Sequence, residues 1–174
     1  DLKLVPGLEP YKKRTIHGVV LGEGGVKMSK SLGNVITPDG LLDRYGADVT
    51  RAYLMFMGPY EGDVVWSTET INGVSRFVAK FFVFLQKAWE GRDTKEGASG
   101  EVAKLAKKVQ NDLLSFKFNT VISSLMQFYN SVQGKVFSTE DIEKIILIVS
   151  PILPHIAEEL WSQTGHEFSV HSLH

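Results

Sequence analysis

The fold is decided by residues 67–89, STETINGVSRFVAKFFVFLQKAW. Apolar side chains recur there at steps of 3, 4, 3, 1, 3 and 4, which places them on one side of an α-helix. The members of this stripe are Ile71, Val74, Val78, Phe81, Phe82, Leu85 and Trp89. A helix with one apolar face needs partners to cover that face. The stretch therefore predicts packing against further helices.

Those partners follow in the sequence. After a loop predicted over Gly91–Gly100, apolar stripes at helical spacing span residues 102–116, 121–132 and 142–149. Asn119 is a candidate N-cap for the second of these stripes. Pro151 ends the last one, and Pro154 stands where a fifth helix could begin. We predict that residues 67–174 form an antiparallel helical bundle, incomplete at its C-terminal end.

The first part of the chain, residues 1–66, has a different pattern because glycine and proline interrupt it. Thr15–Leu21 predicts a strand, Gly22–Gly25 a turn, and Val26–Met28 a return strand, which together make a β-hairpin. A short helix is predicted from Thr37-Pro38 to Gly46, followed by a buried helix over Asp48–Met57. The predicted fold class is therefore mainly α, with a small α/β piece ahead of the bundle.

The composition excludes several classes of protein. Charged residues nearly cancel, with 19 basic and 20 acidic residues and a net charge of −1, so the chain is no strongly basic nucleic-acid-binding arm. Without cysteine there are no disulfides, thiol nucleophiles or thiolate zinc sites. The apolar runs are far shorter than the ~20 residues of a membrane helix, so no membrane is expected as a partner. Because the chain begins at Asp1 without Met or a leader pattern, we expect it to be part of a longer protein.

The stretch with most chemical potential is residues 26–35, VKMSKSLGNV. It places two ammonium groups and two hydroxyls on a short loop behind a glycine-rich turn. Such a loop can close over a polyphosphate, because lysines supply point charge and hydroxyls and backbone N–H groups supply hydrogen bonds. The spacing of a Walker loop is absent. Taken alone, such a stretch is more often a solvated polar turn with two surface lysines.

With its flanks, the stretch resembles the second signature of the class I aminoacyl-tRNA synthetases. Lys-Met-Ser-Lys-Ser at 27–31 is followed by Leu-Gly-Asn-Val, then by Tyr-Gly-Ala-Asp at 45–48 and by Arg51. In that family, this order joins the signature loop to the helical anticodon-binding domain. Residues 150–161, SPILPHIAEELW, resemble the segment that starts a late helix of that domain. The resemblance implies that residues 1–66 form the end of the catalytic region and that residues 67–174 form the tRNA-binding domain.

Within the family, the leucine-specific branch of bacterial or organellar type is the most similar. The stretches that carry this likeness are EPYKK at 9–13, GVVLGEGG at 18–25, and LMFMGP at 54–59, which leads to Asp63 and Trp66-Ser67. The isoleucine, valine and methionine branches stay open as alternatives. A non-catalytic tRNA-binding module made of this bundle is an alternative of a different class.

The resemblance implies roles for the loop residues. Lys30 would be the principal ligand of the ATP phosphates and Lys27 its helper, so these two are the candidate catalytic residues. Met28, Ser29 and Ser31 would complete the ATP-binding loop. The substrate ATP implies Mg²⁺, but we assign no metal site in this chain.

The resemblance also implies what lies outside the chain. The family's first signature, His-Ile-Gly-His or a close variant, lies upstream in the catalytic domain, so we expect the chain alone to be inactive. Implied partners are the rest of the synthetase chain and the tRNA isoacceptors for leucine. We expect a monomeric parent in the cytoplasm, with an organelle as the alternative.

Two groups of cations are candidate tRNA contacts. Arg76, Lys80 and Lys87 share one side of the first bundle helix, opposite its apolar stripe, and could contact phosphates. We label the helix predicted over residues 67–89 α2 and call these three residues the α2 ridge. The alternative is simply the solvated face of an amphipathic helix. Residues 12–14, Lys-Lys-Arg, form the second group. Phe77 and Phe84 are interpreted as core residues, and the terminal pair His171 and His174 as incidental.

Overall fold

The computed structural model describes residues 11, 13–93 and 98–173. Within these ranges the chain forms six α-helices and two short strands. Their bounds are β1 Val20–Leu21, α1 Pro38–Phe56, β2 Val64–Val65, α2 Thr68–Glu90, α3 Ser99–Leu114, α4 Phe118–Ser131, α5 Thr139–Val149 and α6 Pro154–Gln163. Among the described residues, no helix is both long and apolar enough to span a membrane. The mainly α fold class with a helical bundle is confirmed.

The core of the bundle is built from the stripes that the sequence predicts. In α2, five of the seven stripe residues are buried: Ile71, Val74, Val78, Phe81 and Leu85. The remaining two, Phe82 and Trp89, are half-buried against the same core. The apolar faces of α3 to α6 and the second half of α1 close around these side chains. The division of the chain at residue 67 stays a prediction.

Local side chains fix the starts of two helices. Ser67 caps α2 by accepting a hydrogen bond from the backbone N of Thr70 at 3.1 Å. Ser138 and Asp141 form a reciprocal capping box at the start of α5. The prediction of Asn119 as an N-cap is wrong, because α4 begins at Phe118, two residues earlier than that cap implies, and Lys117 occupies the N-cap position.

The two helices predicted around Gly46 meet at a sharp break inside α1. Gly46 has φ 77° and ψ 168°, which is not helical, while the residues on both sides are. A positive φ is easy for glycine and costly for other residues, so this break depends on Gly46. After it, α1 turns Val49, Ala52 and Tyr53 into the core, although Leu54 is half exposed.

The predicted β-hairpin is wrong. β1 pairs in parallel with β2, which lies beyond α1, and residues 26–28 form no strand. The turn itself forms, since the N of Gly22 donates to the O of Val26 at 2.7 Å. Beyond Val26 the chain bonds to a side chain of its own loop instead of continuing a ladder. The sequence shows the turn but not the distant strand that takes the place of the return strand.

The side chain of Asp48 connects α1 to the start of α6. This buried carboxylate, only 6% exposed, accepts hydrogen bonds from the backbone N of Ile156 at 2.7 Å and of His155 at 3.3 Å. It also lies 2.9 Å from Nδ1 of His155. One turn later, Nη2 of Arg51 donates to the carbonyl of Pro151 at 2.9 Å. The start of α6 is thus held by a side chain of α1, more than 100 positions earlier.

We expect Asp48→Ala to lower the free energy of unfolding by about 2–3 kcal/mol, because it leaves buried donors without a partner. Urea denaturation measures this change. The matched control is Asp43→Ala, an exposed carboxylate on the same helix, which should change stability by less than about 0.5 kcal/mol. Equal effects of the two substitutions would contradict the capping role of Asp48.

A second buried carboxylate, Asp112, stabilises the corner between α3 and α4. It pairs with Lys108 and accepts a hydrogen bond from Oγ1 of Thr120 at 2.6 Å. Burial raises the pKa of Asp112, but the hydrogen bonds from Lys108 and Thr120 outweigh this effect and hold the pKa below its ordinary value. The ionised form is therefore favoured in the folded state.

This lowered pKa predicts an acid-dependent loss of stability. The contribution of Asp112 is fully present above its ordinary pKa of 3.8 and is lost as the pH falls through the lower folded value. Asp112→Asn should destabilise the chain at pH 7 and reduce the slope of stability against pH in acid. Thermal melts from pH 7 to pH 2 measure this, with Glu140→Gln in the exposed Glu140–Lys144 pair as control. Parallel curves for wild type and Asp112→Asn would contradict the assignment.

Candidate functional site

The loop predicted to bind a polyphosphate, within residues 26–35, contains one turn of 3₁₀ helix over Lys30–Leu32. Oγ of Ser29 accepts a hydrogen bond from the backbone N of Leu32 at 3.3 Å, and lies 3.2 Å from Oγ of Ser31. Gly33 ends the turn with φ 65°, a conformation that favours glycine. The serines of the signature thus shape the loop locally.

Asn34 closes the loop. Its Oδ1 accepts a hydrogen bond from the backbone N of Ser29 at 2.9 Å, and its Nδ2 donates to the carbonyl of Lys27 at 3.3 Å. One amide side chain therefore joins both sides of the loop. Sequence reasoning quoted Asn34 within the motif but gave it no role. The signal available was its amide side chain, which donates from its nitrogen and accepts at its oxygen and can therefore bond to two backbone groups at once.

Apolar side chains anchor the loop at both ends, and its cations remain free. Met28 and Ile36 are half-buried against the core. Lys27 and Lys30 are exposed, and neither has an ion-pair partner within the described part of the chain. The loop thus presents two ammonium groups to solvent from a fixed base. Met28 acts as an anchor here, and its contact with ATP stays a prediction.

The α2 ridge lies along a groove between α2 and α4. Lys80 lines two adjoining cavities of about 540 and 400 Å³. Arg76 lines the larger cavity and Lys87 the smaller, so the structure brings the three cations to one groove. All three are exposed and without an ion pair among the described residues.

Aromatic side chains line the same groove. The ring of Tyr129 meets that of Phe84 edge to face at 5.4 Å and that of Phe77 at 6.2 Å. Phe77 and Phe84 pack against the core, as the sequence interpretation expected. The groove therefore combines a wall of packed aromatic rings with exposed cationic side chains.

The second cationic group is only partly described. Lys12 lies outside the described residues, Arg14 is exposed, and Nζ of Lys13 lies 5.9 Å from the ring centre of Phe116. Of the terminal histidines, His174 lies outside the described residues. Within residues 11, 13–93 and 98–173, no three His, Asp or Glu side chains are grouped as metal ligands.

Family models match two parts of the chain. Residues 3–67 match the class I tRNA synthetases for isoleucine, leucine, methionine and valine. Residues 97–174 match the anticodon-binding domain of tRNA ligases. The signature loop lies in the first match and α3 to α6 lie in the second.

Curated relatives are leucine–tRNA ligases. The chain is 43% identical over 178 residues to that of Pelodictyon phaeoclathratiforme, covering 98% of this chain and 22% of the relative. It is 39% identical over 168 residues to that of Alkaliphilus oremlandii, covering 96% of this chain and 21% of the relative. The chain thus spans about a fifth of the length of these relatives.

A solved structure shows the same fold. It is the ternary complex of the Agrobacterium radiobacter K84 agnB2 LeuRS with tRNA and LeuAMS. It matches with a TM-score of 0.73 at 25% identity, over 88% of this chain and 23% of that one. Together these likenesses show that residues 3–67 are similar to the class I tRNA synthetases, that residues 97–174 are similar to their anticodon-binding domain, and that the chain is similar, over nearly its whole length, to the leucine–tRNA ligases.

Proposed function

We propose that the chain is the segment of a leucine–tRNA ligase that carries the ATP-phosphate loop and a tRNA-contacting bundle. The observation that carries this proposal is the signature loop, whose base is anchored while Lys27 and Lys30 remain free in solvent. The named relatives favour leucine over the isoleucine, valine and methionine alternatives, and favour a ligase over a non-catalytic module. A monomeric, cytoplasmic parent belongs to the same proposal.

In the proposed reaction, the carboxylate of leucine attacks the α-phosphate of ATP and pyrophosphate leaves. Negative charge grows on the departing phosphates during this step. The ammonium of Lys30, at the start of the 3₁₀ turn, would stabilise that charge, with Lys27 beside it. Ser29, Ser31 and Asn34 hold the loop backbone, so the cations are presented from a defined turn.

Magnesium would accompany ATP as its counter-ion and neutralise phosphate charge. No side chain of this chain is assigned to hold it. The loop offers ammonium and hydroxyl groups but no carboxylate, and Mg²⁺ prefers oxygen ligands such as carboxylates and phosphates. The residues present thus fit the phosphates better than the ion.

Lys30→Ala in the full-length enzyme should slow leucyl-adenylate formation about a hundredfold or more, equivalent to about 3 kcal/mol of transition-state stabilisation. The reason is the loss of a cation placed where charge develops. Lys27→Ala should cost less, and kcat should fall more than KM for ATP rises. Rapid-quench measurement of adenylate formation tests this.

Lys30→Arg is the conservative control and should restore only part of the rate, since a planar guanidinium does not reproduce a compact ammonium. The melting temperature should stay within about 1 °C of wild type for each variant, because an exposed lysine supports no core. Adenylate formation at full rate in Lys30→Ala would refute the function proposed for the loop.

For the bundle, we propose that the α2 ridge contacts the tRNA backbone. The support is the position of three unpaired cations along one groove. Each lysine or arginine that neutralises a phosphate adds affinity that depends on salt. Because the whole chain is nearly neutral, such binding would arise from this local charge.

The double substitution Lys80→Glu, Lys87→Glu should raise the Kd for tRNA at least about tenfold and flatten its dependence on salt. The control is Lys104→Glu, Lys107→Glu, which changes the same charge on the exposed face of α3. Filter binding of tRNA to the full-length enzyme between 50 and 200 mM salt separates the two. If both pairs lower affinity equally, only net charge matters and the ridge is a solvated surface.

A further inference from the structure

The short parallel ladder of β1 and β2 is extended at both ends by carboxylates. Between the strands, the backbone N of Val64 donates to the O of Val19 at 3.0 Å, and that of Trp66 to the O of Leu21 at 2.9 Å. Two residues further, the backbone N of Thr68 donates to Oε1 of Glu23 at 3.3 Å. A side-chain oxygen therefore takes the place of the next carbonyl in the series.

The contact between Glu23 and Thr68 is reinforced. Oγ1 of Thr68 donates to the same Oε1 at 2.6 Å. Both hydrogen bonds hold the pKa of Glu23 below its ordinary value, so the carboxylate is ionised at neutral pH. Thr68 is the first residue of α2, where free backbone donors favour a negative charge.

The point of attachment on α2 is rigid. The preceding residue, Ser67, donates its backbone N to the hydroxyl of Tyr53 at 2.8 Å. Tyr53 is 1% exposed, and its ring meets that of Trp66 edge to face at 4.8 Å. Whatever is bound to Thr68 is therefore fixed relative to the core.

Glu23 itself belongs to a turn whose own backbone hydrogen bonds run from the N of Gly22 to the O of Val26 at 2.7 Å and from the N of Gly25 to the O of Gly22 at 3.0 Å. It lies in the glycine-rich turn four residues before Lys27, where Gly24 and Gly25 have positive φ and are exposed. Glycines impose few restrictions on the backbone, so a turn made of them gains definition from its bonds. The bonds to Thr68 link this turn to α2 across 45 positions of sequence.

We infer that Glu23 is a positioning residue for the signature loop, holding the loop's upstream stem against the start of α2. The inference rests on the function proposed for the loop. Freed from Thr68, the stem samples more orientations, and the ammonium of Lys30 reaches its position on the phosphates less often. Small errors in the position of a charged group can cost one or two orders of magnitude in rate.

The ladder supplies a matched control at its other end. There the backbone N of Val19 donates to Oδ1 of Asp63 at 2.7 Å. Asp63 and Glu23 are both exposed carboxylates that accept a backbone hydrogen bond on the same two-stranded ladder. Only Glu23 lies in the turn that leads into the loop. Weakening the ladder in general should affect both variants, and releasing the loop stem should affect only one.

The test uses the full-length enzyme with Glu23→Ala, Thr68→Val, Thr68→Ser and Asp63→Ala. We expect Glu23→Ala to slow single-turnover adenylate formation about tenfold, with KM for leucine unchanged. Thr68→Val should slow it severalfold, Thr68→Ser should restore it, and Asp63→Ala should leave it unchanged. Combining Glu23→Ala with Thr68→Val should add little, because both remove one contact.

Hydrogen exchange supplies a readout that does not depend on turnover. Peptides covering residues 22–34 should exchange faster in Glu23→Ala than in wild type or Asp63→Ala. Wild-type rate and exchange in Glu23→Ala would overturn the inference, and so would equal losses in Glu23→Ala and Asp63→Ala. Lys30→Ala, measured alongside, separates the two proposals: if it is slow while Glu23→Ala is normal, only the positioning role fails.

Discussion

Much of this structure depends on one constraint, which is that the backbone N–H groups at the start of each helix need hydrogen-bond partners. Each helix leaves backbone N–H groups unpaired at its first turn, and a folded chain must satisfy them with side chains or water. In α5 the donors are satisfied locally, by Ser138. In α6 they are satisfied by Asp48 of α1, and in α2 partly by Glu23 of the glycine turn. The long-range caps attach the loop-bearing part of the chain to the bundle.

Two of these attachments lie on either side of the signature loop. Glu23 precedes Lys27 by four residues, and Asp48 follows the loop on the helix that it leads into. Tyr53, further along α1, holds the start of α2 through Ser67. The segments before and after the loop are therefore both attached to the same hydrophobic core. In the proposed function, the loop would bind the phosphates while its two ends stay in place.

Local pattern in the sequence predicts much of this fold, and distant pairing accounts for what it misses. The stripe of Ile71, Val78 and Leu85 has helical spacing, and burying it requires a bundle. Gly46 is likewise visible as a break between two helices, and Ser67 as the point where the helical period begins. The strand partner of Leu21 is not visible, because Val64-Val65 is too short to show a period and lies some 45 positions away. The roles of Glu23 and Asp48 are not visible either, because their hydrogen-bond partners lie 45 and 107 positions away in the sequence.

The residues of the candidate site fall into two groups. The side chains of one group shape or anchor the loop, and those of the other remain available to bind a ligand. The side chains of Ser29 and Asn34 form the hydrogen bonds that shape the loop, and the side chain of Met28 anchors it to the core. Among the described residues, the ammonium groups of Lys27 and Lys30 form no ion pair and no hydrogen bond. An exposed cation without a partner adds almost nothing to stability. The proposed binding of ATP phosphates would explain their presence at the tip of a loop that other residues hold in shape.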